Sequence, residues 1–398
     1  MISGKRFTTL PIALFASLAL SACADAPTHP KVPPADLTAT FDAVKFWDAT
    51  ATTTWNARAM TLIGQRPPAN AQAAVSRILT YLSLAQYRAV LTAETAKNGS
   101  THPSVPAAVG AASAAVLDTF FPLDASAIDA QLAADLASPG WPGAAQEDAT
   151  SGLAVGRAVA SAVLALAATD NYLVVSPGVP PVGPGFWVSS GAPIVRSLYR
   201  ARPFFLTSQN QLLPPPPPAF GSQEFLTALA EVRAISDTRT PEQVALAQFW
   251  NLGVAPFTAG AENLIADGLI RDHHRTEREA ARILAYANAA AFDAQIACFD
   301  AKFTYWFIRP VQADPLITLA IGLPNHPSYP SAHACITAAI MNVLIDAFPS
   351  ERDSLQGIIQ QSGLSRIYGG LHYRFDVEAG AHLGARAAAL ALAGALER

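Results

Sequence analysis

From Thr276 to Asp300 the chain places Ile283, Ala287, Ala290, Ala294 and Ala297 at three- and four-residue spacing, one apolar stripe of a long helix. Small residues on such a face let a second helix axis approach closely. The same period recurs from Ala69, through Ala74, Ile78, Leu82, Ala85 and Ala89. Further helices are predicted at about 105–119, 126–137, 151–169, 223–235, 241–252, 331–347 and 372–396. The one at 241 opens on Thr240-Pro241-Glu242, with Pro in the first turn. Alanine is abundant, β-branched runs are scarce, and neither an alternating strand pattern nor an internal repeat is visible. The expected fold class is all-α, and a chain 51% hydrophobic has ample material for its core.

The N-terminus reads as an export signal. Lys5 and Arg6 precede an apolar run from Leu10 to Leu20, and Leu20-Ser21-Ala22-Cys23 follows. This resembles a bacterial lipobox, which implies a signal peptide over 1–22, lipidation of Cys23 and a place on the cell envelope, held by the lipid anchor alone. Residues 23–40, with four prolines, are expected to be a tether. The body then divides into a helical bundle at about 41–170, an irregular arm at 171–222 and a second bundle at 223–398. The arm holds Pro214 to Pro218 in a row. Phe186, Trp187, Tyr199, Phe204 and Phe205 are too many large apolar groups for a solvated linker, so it should pack over the helices. Leu153 to Ala168 is apolar but short of the ~20 residues a membrane span needs, and is expected to be a buried helix.

Net charge is −4, which supplies no basic field for nucleic acid. Only 14% of residues are charged, yet Lys302, Arg309, Arg366, His326, His333, His372 and Asp376 fall within 75 residues. Arginine offers forked donors suited to oxyanions, and Lys302 adds a point charge. Ser331-Ala332-His333 is expected at a helix start, where free N–H groups and the Ser331 hydroxyl could face an anion. His372 and Asp376 are four apart. On one helix they would share a face, so that the carboxylate fixes the imidazole tautomer.

The spacing Lys302-x6-Arg309-Pro310, then Pro330-Ser331-Ala332-His333, then Ser365-Arg366-x5-His372-x3-Asp376 resembles the signature of the phosphatidic acid phosphatase type 2 and vanadium-dependent haloperoxidase superfamily. The resemblance implies two four-helix bundles around one oxyanion. His372 would bind vanadium. Lys302, Arg309, Ser331, the Ala332 amide and Arg366 would hold the vanadate oxygens, and His333 would be the acid–base group. Hydrogen peroxide and a halide would be the substrates of a haloperoxidase. In an acid phosphatase of the same superfamily His372 would instead attack a phosphate ester and form a phosphohistidine, since phosphate fits the same cage. A third reading is a lipoprotein that binds phosphate or vanadate without turnover.

The long helical region before Lys302 and a second histidine at His326 resemble the haloperoxidase branch. Ala332 stands where the signature has Gly, and Phe299 where many haloperoxidases carry Trp. His273 and His274 read as a solvated loop or helix start, and His382 is ~15 Å along the last helix from His372. Cys298 and Cys335 read as small buried hydrophobes.

Overall fold

The computed structural model describes residues 51–68, 71–96, 102–138, 147–191, 195–251 and 258–396. The signal segment, Cys23, the tether and the helical start expected near Phe41 lie outside the described residues. Thirteen α-helices run through these residues: α1 Ala51–Gln65, α2 Ala71–Thr95, α3 Val105–Phe120, α4 Ala125–Ala137, α5 Ala149–Ala168, α6 Gln223–Thr238, α7 Pro241–Phe249, α8 Thr258–Asp272, α9 Glu277–Tyr305, α10 Pro310–Ala313, α11 Ala332–Ala347, α12 Arg352–Tyr368 and α13 Arg374–Ala393. Strand is confined to two-residue pairs, His102–Pro103 with Glu147–Asp148 and Ser176–Pro177 with Val195–Arg196. The fold is all-α.

Helices α2 to α5 form one four-helix bundle, and α9, α11, α12 and α13 form the other. α2 packs along α9 where the bundles meet, and α1 and α8 close over that join. The 29-residue α9 is the axis of the molecule. A capping box starts it: Thr276 Oγ1 accepts from Glu279 N–H, and the Glu279 carboxylate accepts from Thr276 N–H. Its Ala-rich stripe is fully buried, as the spacing requires.

The two bundles repeat one device. Ser104 stands at the N-cap position of α3 and Ser331 at that of α11. Each donates its backbone N–H to an aspartate carbonyl, Asp148 at 3.0 Å and Asp376 at 2.9 Å. Glycines then recur at the same intervals, Gly152 and Gly156 after Asp148, Gly380 and Gly384 after Asp376. A Cβ at Gly156 would meet the Ala108 carbonyl at 2.2 Å, and one at Gly384 the Cys335 carbonyl at 2.2 Å. The device is carried by Pro-Ser and Asp-x3-Gly-x3-Gly alone, too little to show as an internal repeat in the sequence. Four before Asp148 stands Ala144, where four before Asp376 stands His372.

Three expectations fail. α8 and α12 went unrecognised because their buried faces are polar, built on Glu262, Asn263 and Asp267 in one and Ser362, Ser365 and Arg366 in the other. α5 is no core helix: it reaches 20 residues, and only 33% of its apolar stretch is buried. One side of it packs on α3 while the other faces outward.

The arm lies against the second bundle. Trp306 ends α9 in the left-handed region at φ 51°, which turns the chain back. Residues 306–308 then pair with the arm through Trp187 N–H to Trp306 O at 2.7 Å and Ile308 N–H to Gly185 O at 3.0 Å. Tyr305 and Tyr329 donate their hydroxyls to the Pro214 and Pro215 carbonyls. This pairing fixes the backbone leading into Arg309.

Candidate active site

A cavity of about 150 Å³ opens between the bundles, lined among others by Ser76 of α2, Trp250, His326, Ala332, His333, Arg366 and His372. Arg309 enters from the start of α10 and is fully buried. Its Nε donates to the His326 carbonyl at 3.0 Å and Nη1 to the Leu371 carbonyl at 2.9 Å. Nη1 also lies 3.0 Å from His372 Nε2, and Nη2 lies 3.1 Å from His326 Nδ1.

The contact with Arg309 fixes the tautomer of His372, because arginine only donates. His372 Nε2 must be a lone pair. Its Nδ1 carries the hydrogen and donates to Asp376 Oδ2 at 2.9 Å. His372 does not share a helix with Asp376 as expected, since α13 begins at Arg374. The pair closes across the helix N-terminus instead, where Asp376 Oδ2 also accepts from Tyr373 N–H and from the Ser328 hydroxyl. His326 Nδ1 lies 3.1 Å both from Arg309 Nη2, which donates, and from the Pro327 carbonyl, which accepts, so its neighbours favour opposite tautomers; its Nε2 is buried without a partner. His333 Nε2 lies 3.0 Å from the Trp250 carbonyl and donates to it, leaving Nδ1 as the acceptor.

Lys302, in the last turn of α9, gives its three N–H groups to the carbonyls of Pro327, Ser328 and Pro330. It therefore ties down the loop that leads into Ser331 and acts on the cavity through its charge. Arg366 donates to the Ser365 hydroxyl at 2.9 Å and to the Ala247 carbonyl at 3.0 Å. Ser331 is the N-cap of α11 yet makes no capping bond, and its hydroxyl is buried without a partner. Ala332 follows as the first helical residue and lines the cavity. The Phe299 ring packs on His326 at 5.4 Å.

Electrostatics decide what such a site accepts. Among the described residues none of the three cations has a carboxylate within 4 Å, and Asp376 is the one acid in their midst. Burial lowers Lys302 to about 8, Arg309 to about 10 and Arg366 to about 9. Burial first, then the nearby cations, pushes His326, His333 and His372 well below the usual imidazole range. Burial also raises Asp376 to about 6 despite the Ser328 hydroxyl. An uncompensated buried charge costs several kcal/mol, and a bound anion would relieve it three times over. Among the described residues no three His, Cys, Asp or Glu side chains converge on a bare cation. Positive charge, an imidazole lone pair held by a cation's N–H, and unpartnered polar atoms on Ser331 and His326 suit an oxyanion.

The structure thus brings together Lys302, Arg309, His326, Ser331, Ala332, His333, Arg366, His372 and Asp376. The sequence reading missed Ser328, although a second serine three residues before Ser331 was a usable signal. The carbonyls of Trp250, Ala247 and Leu371 left no trace in sequence. His273 pairs with Glu351 on the far side of the bundle, and Cys298 and Cys335 are buried free thiols.

Residues 280–397 match the family model of the PAP2 superfamily. No curated protein matches the sequence. Among solved structures, a bacterial vanadium-dependent iodoperoxidase is 21% identical with a TM-score of 0.72, covering 86% of this chain and 95% of its own. A bacterial vanadium-dependent chloroperoxidase in its holo form is 16% identical with a TM-score of 0.66, covering 83% and 94%. The signature residues thus lie in a C-terminal bundle that matches the PAP2 superfamily model, and the chain as a whole has the two-bundle fold of the solved vanadium haloperoxidases.

Proposed function

We propose that this chain is a vanadate-dependent haloperoxidase that uses hydrogen peroxide to oxidise a halide. The observation that supports this reading is the two-bundle fold, shared over 86% of this chain with a vanadium-dependent iodoperoxidase, around a cavity lined by His326, His333, Arg366 and His372 that suits a tetrahedral oxyanion. The residues present fit vanadate, since His372 offers one nitrogen lone pair and Ser331 an orphaned hydroxyl. Vanadate held there supplies a Lewis-acidic centre that activates peroxide towards halide.

The chain's own groups do the rest. Asp376 keeps hydrogen on His372 Nδ1, so Nε2 stays a ligand atom. Arg309 and Arg366 offer N–H donors for the oxyanion, and Lys302 adds charge from behind the loop. His333, neutral and with Nδ1 free to accept, takes or gives a proton beside the bound substrate. His326 lines the same cavity, with its Nε2 buried and unpartnered. The lipobox supports a place on the cell envelope, with Cys23 as the anchor.

The acid phosphatase reading uses the same atoms, with His372 Nε2 attacking phosphorus. Purified protein loaded with vanadate is tested for bromination of an organic acceptor with peroxide, beside hydrolysis of an aryl phosphate by vanadate-free protein. Bromination lost in His372→Ala supports the proposal. Hydrolysis without bromination replaces it with the phosphatase, and tight anion binding with neither activity leaves a binding protein.

A further inference from the structure

The outer face of α5 and the arm that follows it carry an apolar surface with a consistent charge sign. In the arm, Leu173 is 84% exposed, Val179 87% and Val182 98%, and Val174, Val175 and Val188 are also exposed. Exposed aliphatic groups recur along this one segment, and clustered apolar surface marks a site of interaction. α5 leads directly into this segment with its own outward apolar face, and Arg202 joins the two by donating to the Leu166 carbonyl.

Charge separates the candidate occupants. From Arg157 to Arg202 the sequence contains one acid, Asp170. That acid is buried and bonded to Arg77 and Tyr81. The basic residues there are Arg157, Arg196, Arg200 and Arg202. Arg196 is paired with Asp300, whereas Arg157, Arg200 and Arg202 are exposed. The overall charge of the chain is −4, so this acid-free basic margin is local. A second copy docking through a two-fold axis would set the surface against itself, arginine facing arginine. A bilayer of anionic phospholipid offers what the surface lacks: hydrocarbon for the valines and phosphate for the arginines.

We infer that the outer face of α5 and the arm from Asn171 to Arg202 dock on an anionic phospholipid bilayer. The contact is independent of the anion cavity. It would orient the body against the membrane whether or not Cys23 carries lipid.

The test uses the full-length chain with Cys23→Ser, which removes the covalent anchor. It is sedimented with vesicles of phosphatidylglycerol or of phosphatidylcholine. The expected result is binding to phosphatidylglycerol that weakens with salt, and little binding to phosphatidylcholine. The exposed pair Val179→Asp/Val182→Asp should lower partitioning about tenfold, and so should Arg200→Glu/Arg202→Glu. Sulfate affinity measured by calorimetry should be unchanged in both variants, which shows that they fold. Absence of phosphatidylglycerol binding, or binding indifferent to all four substitutions, would overturn the inference. A dimer in sedimentation equilibrium that the same substitutions dissolve would replace the lipid with a second copy.

Discussion

Arg309 Nη1 sits 3.0 Å from His372 Nε2, so the lone pair that would bind vanadium is capped by a cation. The cap is available because Asp376 holds the other ring nitrogen as N–H at 2.9 Å. Asp376→Asn keeps the shape of the side chain but can present its amide N–H to the ring and reverse the tautomer. Removing such a partner of a ligating histidine typically lowers affinity about 10- to 100-fold. Vanadate titration by calorimetry should show a loss of that size. An unchanged affinity would mean that Nε2 is not the ligand.

Anion binding should depend on pH through Lys302. Burial lowers its folded pKa to about 8, against about 10.4 for an unfolded lysine. Below pH 8 the ammonium is charged and supports the anion. Above it the charge is lost, and binding must take up a proton. Sulfate, whose charge is constant over this range, should bind evenly up to about pH 7.5 and then weaken by up to about tenfold per pH unit. Lys302→Met should lower the plateau and delay the fall to about pH 9, where Arg366 loses its charge. The fold responds with the opposite sign. Between about 8 and 10.4 the unfolded chain holds the proton and the folded chain does not, so this group makes the anion-free protein more stable as pH rises.

The helices legible in the sequence were those with apolar buried faces. α9 is visible in the stripe from Ile283 to Ala297, and its capping box is written in Thr276 and Glu279. α8 and α12 were illegible because Glu262, Asp267, Ser365 and Arg366 occupy positions where periodicity looks for Leu. Side chains of the candidate site were legible because ionic chemistry fixes residue type at fixed spacing. Its backbone partners were not. Nothing in the identities of Pro327, Ser328 and Pro330 says that their carbonyls take all three hydrogens of Lys302. The capping of His372 by Arg309, across 63 residues, depends on how the arm turns the chain after Trp306.

The close approach of α11 and α13 is a second testable point, this time of stability. A Cβ at Gly384 would lie 2.2 Å from the Cys335 carbonyl and 2.9 Å from the Ala338 Cβ. Backbone on both sides leaves little that can yield, so Gly384→Ala should destabilise by about 1–3 kcal/mol or more, the usual range for overpacking. Gly357 in α12 has nothing within 4 Å of its Cβ position. There Gly→Ala should stabilise by about 0.5–1 kcal/mol through helix propensity and a less flexible unfolded chain. Urea denaturation of the two variants checks both signs.

Ser331 offers the sharpest opposition between stability and binding. Its hydroxyl is buried, makes no bond and does not cap α11. Leaving a buried polar group unpaired costs about 1–3 kcal/mol. Ser331→Ala should therefore raise the melting temperature of the anion-free protein, unlike a typical N-cap substitution, which lowers it. The same change removes a donor for the oxyanion. With a hydrogen bond to a charged group worth about 1.5–3 kcal/mol, sulfate or vanadate affinity should fall at least tenfold. A variant that melts lower and binds as well as the parent would show that Ser331 serves the helix and not the anion.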